Sequence, residues 1–369
     1  MTSKERMLCA MRNDQPDCVP VAPDISNMIP AKLTGKPFWD IYLYRNPALW
    51  EAYINAVKYF GFDGWLPVYS GGLDFAGEND YIVFESEENI ITRRMEKTNG
   101  KEFWSPNIMV YYRGNPPAYV SAAKLNLPDA HTDYKAIPEE LRPAFEDCIE
   151  IYNKAKDMMG DAGVVGLSAW IPMIGTDEQV YRYYDRDEAL FGELSYIAEQ
   201  GILQAEQYLE IKPDFLFMGY SGGLTLQTPA MFREIALPCV KKIAEMSKKA
   251  NIVSQMHSCG RSRELVKILA EETDTSNINP LEVPPMGDCD LAEIKKSFGS
   301  KISLMGNLHT TEVMLHGSAE LVGEKSKEAI DAAGADGGFI LSTGDQCGRD
   351  TPHENIIAMI NTARTYGKY

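Results

Sequence analysis

Short apolar runs alternate with longer helical segments along most of this chain, and this order restricts the fold more than any other feature. Eight runs are typical of strands, because each is short, is rich in β-branched or aromatic residues and is bounded by glycine, proline or polar residues. They lie at 17–24, 64–70, 163–169, 214–220, 251–257, 275–279, 302–307 and 338–342. Helices are predicted up to about residue 12 and over 46–60, 138–159, 187–211, 229–249, 262–270, 318–333 and 354–365.

This repeated strand–helix order predicts an α/β fold, and eight such units in 369 residues fit a (β/α)8 TIM barrel. A doubly wound sheet uses the same units and stays open as an alternative. We expect a single barrel domain over 1–369, with an N-terminal helical region. A β-hairpin insertion is expected after the second strand, at about 75–134, because Asn99-Gly100 lies there and this dipeptide is a strong hairpin signal.

Polar side chains stand where several predicted strands end, which is the edge that carries the active site in barrels. His257 and Cys259 close the strand at 251–257, and at positions i and i+2 they point to the same side. Cys347 follows the last strand in a second glycine-containing loop. An imidazole and two thiolates are ligands that zinc prefers, so these three residues are candidates for one zinc site. The alternative is that the cysteines only pack, as most buried cysteines do.

Further side chains at the predicted strand ends are candidates for substrate binding. They are Asp24, Tyr69, Tyr220 and Asn307, together with Trp170 just past the strand at 163–169. Each of them could instead complete the hydrogen bonding of a loop or pack in the core.

The composition is that of a globular protein and argues against several partners. Hydrophobic residues make up 44% and charged residues 24% of the chain. The net charge of −17 argues against binding to nucleic acid or to an anionic membrane. No apolar run approaches the roughly 18 residues that span a bilayer, and the first residues show no secretory apolar region. Seven scattered cysteines do not suggest a disulfide framework, so a reduced, cytoplasmic location is expected.

Five motifs spread along nearly the whole chain resemble the uroporphyrinogen decarboxylase superfamily. They are Lys4-Glu5-Arg6 with Asp17-x-Val-Pro20, His257-Ser-Cys-Gly260, Asn279-Pro-Leu-Glu282, Met305-Gly-Asn307 and Cys347-x-x-x-x-Pro352-x-Glu-Asn355. Within it, His-x-Cys with a distant cysteine is similar to the zinc motif of the corrinoid-dependent methyltransferases, the branch typified by methylcobamide:coenzyme M methyltransferase. The decarboxylases carry an arginine-rich stretch after the first strand, whereas residues 23–30 of this chain contain no arginine.

The resemblance implies a zinc-dependent methyltransferase that moves a methyl group between a corrinoid protein, as Co(I) or methyl-Co(III), and a small molecule such as a thiol, methoxy compound or methylamine. It implies catalytic and metal-binding roles for His257, Cys259 and Cys347. Glu282 matches the position where some relatives supply a displaceable fourth ligand. The corrinoid would be presented by a separate partner protein, and homodimer formation is left open.

Two alternatives from other classes remain at this point. One is a uroporphyrinogen decarboxylase-like lyase that uses no metal and has a basic cleft. The other is a catalytically inactive barrel that acts only as a binding protein. The sequence leaves the methyl donor, the methyl acceptor and the direction of transfer open.

Overall fold

The computed structural model describes residues 1–69, 79–126, 134–142 and 146–369, and the chain divides into two compact units. The first contains Met1–Asp24, Val57–Ser70 and Ile151–Tyr369, and the second contains Ile25–Ala56 and Gly71–Glu150. The last residue of the predicted second strand and parts of the predicted insertion, 75–78 and 127–133, lie outside the described residues. The single-domain organisation over 1–369 stays a prediction.

The helices and strands have the following bounds in the described residues. The helices are α1 Ser3–Met11, α2 Met28–Leu33, α3 Phe38–Tyr42, α4 Leu49–Phe60, α5 Cys148–Met159, α6 Asp177–Tyr184, α7 Glu188–Ile211, α8 Gly223–Leu226, α9 Pro229–Ile235, α10 Leu237–Lys249, α11 Arg263–Glu272, α12 Leu291–Phe298, α13 Ala319–Ala333 and α14 His353–Tyr366. The strands are β1 Gly64–Tyr69, β2 Asp80–Glu85, β3 Asn89–Thr98, β4 Lys101–Tyr112, β5 Ala118–Ser121, β6 Lys135–Ala136, β7 Gly163–Ser168, β8 Phe215–Tyr220, β9 Val253–Ser258, β10 Asn277–Asn279, β11 Ser303–Leu308 and β12 Phe339–Thr343. A π-helical turn covers Thr310–Leu315.

The first unit is built on a seven-stranded sheet in the order β1-β7-β8-β9-β10-β11-β12. All neighbouring strands in it are parallel. The predicted α/β fold with a parallel sheet is therefore confirmed, and seven of the predicted strands appear within two residues of their expected bounds. A doubly wound sheet reverses its strand order at a switch point, and the described strands show no such reversal.

The first predicted strand, 17–24, is only partly formed. Val21 pairs in parallel with Leu341 of β12 through one isolated bridge. On its other side the Val21 carbonyl accepts a hydrogen bond from the Asp63 amide, at 2.8 Å. Proline has no amide hydrogen to donate to a ladder, and Pro20 and Pro23 stand on either side of this pairing. The segment therefore contacts both edges of the sheet without forming a regular strand.

The interior of the first unit is filled by apolar side chains from the sheet and from α1. Because parallel strands are covered on both faces, their residues are buried almost continuously, as the burial of every residue in β7, β11 and β12 illustrates. One core cluster comprises Met7, Ala10, Met11, Ala22, Trp65, Val164, Phe215, Phe217, Val253, Met305 and Ile340. The residues at the carboxyl ends of these strands are mostly polar.

Two predicted helices are shorter than expected. The helix predicted over 229–249 is two helices, α9 and α10, that meet at Ala236, because Pro238 has no amide hydrogen for the helical ladder. Of the described residues before 148 in the helix predicted over 138–159, only Glu139–Leu141 are helical, as a short 3₁₀ helix. The α-helix α5 begins at Cys148, since the Asp147 carboxylate accepts hydrogen bonds from the amides of Ile149 and Glu150 and so acts as the N-cap.

The second unit contains a five-stranded antiparallel sheet in the order β5-β4-β3-β2-β6. Its β3 and β4 form a hairpin in which Thr98 pairs with Lys101. Asn99 and Gly100 make the turn with φ values of 53° and 77°, the conformation that a two-residue type I′ turn requires. None of the helices in the four described ranges is long and apolar enough to cross a membrane.

Candidate functional site

A chain of buried hydrogen bonds between side chains lies across the interior of the first unit and links its strands beneath the site. Trp65 Nε1 donates to Gln255 Oε1 at 2.7 Å, and Gln255 Nε2 donates to Asn277 Oδ1 at 2.6 Å. Asn277 Nδ2 then donates to Ser303 Oγ at 2.9 Å. Because side chains alternate along a strand, the residues two positions further, His257 and Asn279, point the same way.

Glycines allow the backbone around His257 to approach its neighbours closely. Gly219 of β8 pairs with His257 of β9, and a Cβ atom at Gly219 would lie 2.1 Å from the His257 carbonyl oxygen. Gly260 has a φ of 78°, and a Cβ atom there would lie 2.1 Å from Thr225 Oγ1. Both positions therefore require glycine, and they fix where the chain leaves β9 and turns past Cys259.

His257, Cys259 and Asp345 bring an imidazole, a thiol and a carboxylate together at the carboxyl ends of β9 and β12. His257 Nε2 and Cys259 Sγ lie 3.1 Å apart. One ligand atom from each of the three residues lies within 4.8 Å of the other two. The sequence predicted the first two residues but not Asp345. The missed signal is that Asp345 is a carboxylate two residues after the end of β12, in the same loop as Cys347.

The donor set and its spacing suit a zinc ion. Zinc binds imidazole nitrogen at about 2.0 Å and thiolate sulfur at about 2.3 Å, which places the two atoms about 3.5 Å apart in a tetrahedron. The observed separation is close to that value. Nε2 of His257 faces the Cys259 sulfur, so it is the nitrogen placed to bind a metal.

Burial and negative charge set the protonation of the cluster. Burial lowers the pKa of His257, while the charges of Asp345 and Asp24 and a contact with the Asn279 side chain raise it. Burial also raises the pKa of the Cys259 thiol well above its usual value, and Asp345 and Glu282 add to this effect. The charged groups that act on both residues are all acidic. A bound cation would offset this negative charge and favour the thiolate.

Cys347 lies outside the group of three residues whose ligand atoms are mutually close. Its side chain is fully buried, and its amide donates to the Asp24 carbonyl at 2.8 Å. Burial raises the pKa of its thiol to about 12, and the charge of Asp24 acts in the same direction. Its predicted role as a ligand stays a prediction.

Glu282 is buried next to the turn that follows Cys259. Its side chain is only 6% exposed, and its Oε2 accepts a hydrogen bond from the Gly260 amide. Burial raises the pKa of this carboxyl group, and the charge of Asp345 raises it further. The carboxylate is thus next to the cluster and tied to the loop that carries Cys259.

Three of the five residues predicted to bind substrate interact with the cluster or with residues next to it, and they are Asp24, Tyr69 and Asn307. The Tyr69 ring packs edge-to-face on Phe217, with 5.6 Å between centroids, and Phe217 lies 5.8 Å from the His257 ring. The Tyr69 side chain is 52% exposed, and loss of water around its hydroxyl, together with the charges of Asp24, Cys259 and Asp345, raises the pKa of that hydroxyl. Asn307 Nδ2 donates to the Leu281 carbonyl at 3.0 Å, directly before Glu282.

The other two predicted residues contact different parts of the first unit. Tyr220 pairs with Ser258 in the sheet, so its side chain points away from the face that carries His257. Its hydroxyl accepts a hydrogen bond from Gln227 Nε2 at 3.0 Å. Trp170 is 49% exposed, and its amide donates to Gln204 Oε1 on α7 at 3.1 Å.

Comparison with known proteins supports the resemblance predicted from the motifs. The profile of the family described as uroporphyrinogen decarboxylase (URO-D) matches residues 183–366. Methylcobamide:CoM methyltransferase MtbA of Methanosarcina mazei is 24% identical over 220 residues, which are 59% of this chain and 60% of that protein. Methylated-thiol–coenzyme M methyltransferase of the same organism is 23% identical over 259 residues, 67% of this chain and 64% of that protein.

A solved structure supports the fold as well. A methyltransferase from Methanosarcina mazei superimposes with a TM-score of 0.64, covering 99% of both chains at 17% identity. At this identity the similarity concerns the fold alone. The matched region spans 60% of the length of MtbA of Methanosarcina mazei and 60% of the length of MtbA of Methanosarcina acetivorans. The predicted resemblance to the uroporphyrinogen decarboxylase superfamily, with corrinoid-linked methyltransferases among the relatives, is confirmed.

Proposed function

We propose that this chain is a zinc-dependent methyltransferase that moves a methyl group between a corrinoid carried by a partner protein and a small molecule. The observation that carries this proposal is the partly buried pair of His257 and Cys259, 3.1 Å apart, at the carboxyl ends of the sheet. The names of the relatives support the class of reaction. Methoxy compounds, methylamines and thiols are the substrates to examine.

The proposed metal site has His257 and Cys259 on one side and the loop after β12 on the other. That loop contains the predicted ligand Cys347 and also Asp345. A zinc ion bound there would lower the pKa of a thiol or alcohol, or polarise a methyl donor. Glu282 lies beside the site and fits the proposed role of a carboxylate that approaches the metal and leaves it again.

The remaining residues would hold the substrate and the loops. Tyr69 would donate its hydroxyl hydrogen to the substrate, because its raised pKa keeps it protonated at neutral pH. Asn307 would hold Leu281, and with it the start of the segment that carries Glu282. Asp24 would contribute negative charge. Tyr220 and Trp170 were predicted to touch the substrate, and in this proposal they shape the adjoining loops.

We further propose that the parallel sheet of the first unit is closed into an eight-stranded barrel by the segment at 20–22. Its hydrogen bonds to Leu341 on one side and Asp63 on the other support this closure. A barrel offers one mouth at the carboxyl ends of its strands. The corrinoid of a cytoplasmic partner protein would approach the site through that mouth.

The charge around the site favours this proposal over the lyase alternative. The charged groups that shift the pKa values of His257, Cys259 and Glu282 are acidic. A porphyrinogen presents several carboxylates, which would need basic partners rather than acidic ones. The negative charge is instead suited to a bound divalent cation.

Methyl transfer to a corrinoid tests the proposal directly. The zinc-loaded protein is mixed with cob(I)alamin, free or on a corrinoid protein, and with a panel of methoxyarenes, methylamines and methylated thiols. We expect the absorption of methyl-Co(III) to appear with at least one donor and to be absent with His257→Ala. Cys9→Ala on α1 is the matched control, because Cys9 is a half-buried cysteine outside the site.

Equal rates for wild type and His257→Ala across the whole panel would contradict the methyltransferase proposal. Release of carbon dioxide from a porphyrinogen by the wild type would then favour the lyase. Circular dichroism of each variant shows that the fold is retained.

A further inference from the structure

We propose that Asp345, and not Cys347, supplies the third protein ligand of the metal, so that the site has one sulfur, one nitrogen and one carboxylate oxygen. The inference rests on the proposed metal site and concerns which side chain of the loop after β12 completes it. It departs from the pattern of His-x-Cys with a distant cysteine, on which the sequence prediction was based.

The position of the Asp345 carboxylate is the first argument. Its oxygen lies within 4.8 Å of both the His257 nitrogen and the Cys259 sulfur. Its charge acts on His257 and Cys259, and also on Tyr69 and Glu282.

The surroundings of Cys347 are the second argument. Its sulfur lies outside the group of three ligand atoms that are mutually close, and its amide is hydrogen-bonded to the Asp24 carbonyl at 2.8 Å. The side chain is fully buried. Burial and the fixed backbone give Cys347 the environment of a packed cysteine.

The hydrogen bonds of Thr343 hold the backbone of the loop that carries Asp345 and Cys347. Its hydroxyl donates to the Asp345 carbonyl at 2.7 Å and accepts from the Asp24 amide at 3.0 Å. Together with the bond from the Cys347 amide to the Asp24 carbonyl, this ties the loop at both ends. These bonds hold the backbone of the loop in the conformation in which the Asp345 carboxylate lies close to His257 and Cys259.

The chemistry of the donor set is consistent with zinc. Zinc accepts carboxylate oxygen at about 2.0–2.2 Å, and three protein ligands with a fourth open position are typical of catalytic sites. One thiolate and one carboxylate balance the two positive charges of the ion, as two thiolates would. A carboxylate ligand in place of the second thiolate therefore lowers the number of sulfur ligands from two to one and leaves the net charge of the site unchanged.

X-ray absorption of the zinc-loaded wild-type protein tests the inference without any substitution. We expect one sulfur ligand per zinc, with nitrogen and oxygen ligands for the rest. Two sulfur ligands in the wild type would overturn the inference.

Zinc binding by three variants gives a second, independent test. Asp345→Ala should bind zinc more than about tenfold more weakly, since even the loss of an outer partner of a metal ligand costs 10–100-fold. Cys347→Ala should bind zinc as the wild type does. Asp345→Cys should retain zinc and show two sulfur ligands in the absorption spectrum.

The outcomes separate this inference from the proposed function. If the wild type binds no zinc, the metal-dependent function itself fails. If Cys347→Ala loses zinc while Asp345→Ala keeps it, the function stands and this inference fails. Thermal unfolding of the metal-free variants identifies any that do not fold, and Cys347→Ser replaces Cys347→Ala in that case.

Discussion

The carboxylate of Asp63 is predicted to stabilise the first unit by several kcal/mol. Its side chain is completely buried and accepts hydrogen bonds from Arg6 Nη1 at 2.9 Å and from Arg364 Nη2 at 2.9 Å. It also accepts from the Val21 amide at 2.8 Å. One carboxylate thus joins the first helix, the segment at 20–22 and the last helix to the start of β1.

Removing this carboxylate by Asp63→Ala should cost about 3–4 kcal/mol. Loss of one partner of a buried ion pair costs about 3–5 kcal/mol, because the remaining charge stays buried without compensation. The lower part of that range applies here, since Arg6 keeps its hydrogen bonds to Asp17 at 2.7 and 2.9 Å. Arg364 is also 28% exposed and can be partly hydrated.

Thermal unfolding followed by circular dichroism measures this loss. An unfolding entropy of about 2.1 cal/mol/K per residue gives about 0.8 kcal/mol/K for the chain, so Tm should fall by about 4–5 °C. Asp17→Ala is the matched control. It removes a carboxylate that also binds Arg6 but is 42% exposed, and exposed pairs contribute at most about 1 kcal/mol.

A Tm for Asp63→Ala no lower than that of Asp17→Ala would refute the reasoning. Zinc binding should be unchanged, because Asp63 precedes β1 and therefore lies at the edge of the sheet opposite to the carboxyl ends. A loss of zinc in a folded Asp63→Ala protein would show that the two edges are coupled.

Three further predictions concern pH, the metal site and the substrate. Hydrogen bonds from Arg6 hold the pKa of Asp17 well below its usual value, so its stabilising effect is present above about pH 4 and is lost as pH falls; the difference in Tm between wild type and Asp17→Asn should shrink from pH 7 to pH 3. Glu282→Gln should keep about one zinc per chain in metal analysis but change the apparent affinity for the methyl donor, and unchanged kinetics would make Glu282 a bystander. Tyr69→Phe should lower the rate of methyl transfer by roughly tenfold or more without changing zinc content, and an unchanged rate would exclude the hydroxyl from the reaction.

The order of the strands could be predicted from the sequence because each strand is short, apolar and bounded by breakers. The parallel strands are buried on both faces, and such burial requires continuous apolar runs that are easy to recognise. The segment at 17–24 was harder to predict. Its apolar residues resemble a strand, but Pro20 and Pro23 limit its pairing to isolated bonds.

The helices were predicted less well where their stability depends on neighbours. The short helices α6 and α12 are stabilised by N-caps, with Thr176 accepting from the Gln179 amide and Asp290 accepting from the Glu293 amide. An eight-residue helix is only marginally stable by itself, so packing decides whether it forms. The sequence pattern within such a short segment is too brief to predict it.

The candidate site illustrates the same limit at the level of single side chains. Alternation along β9 correctly predicted that His257 and Cys259 lie together, because β9 continues to Ser258, directly before Cys259. The loop after β12 offers Asp345 and Cys347, which are also two residues apart. If the strand continued, both would point into the site, but β12 ends at Thr343.

Beyond Thr343 the direction of each side chain depends on contacts with the start of the chain. The bond between the Thr343 hydroxyl and the Asp24 amide joins residues 319 positions apart. A contact of that sequence separation leaves no local signal in the residues around Cys347. The sequence therefore identifies the loop that would complete the proposed metal site, whereas the proposed choice of its carboxylate over its thiol rests on how the folded chain holds that loop next to Asp24.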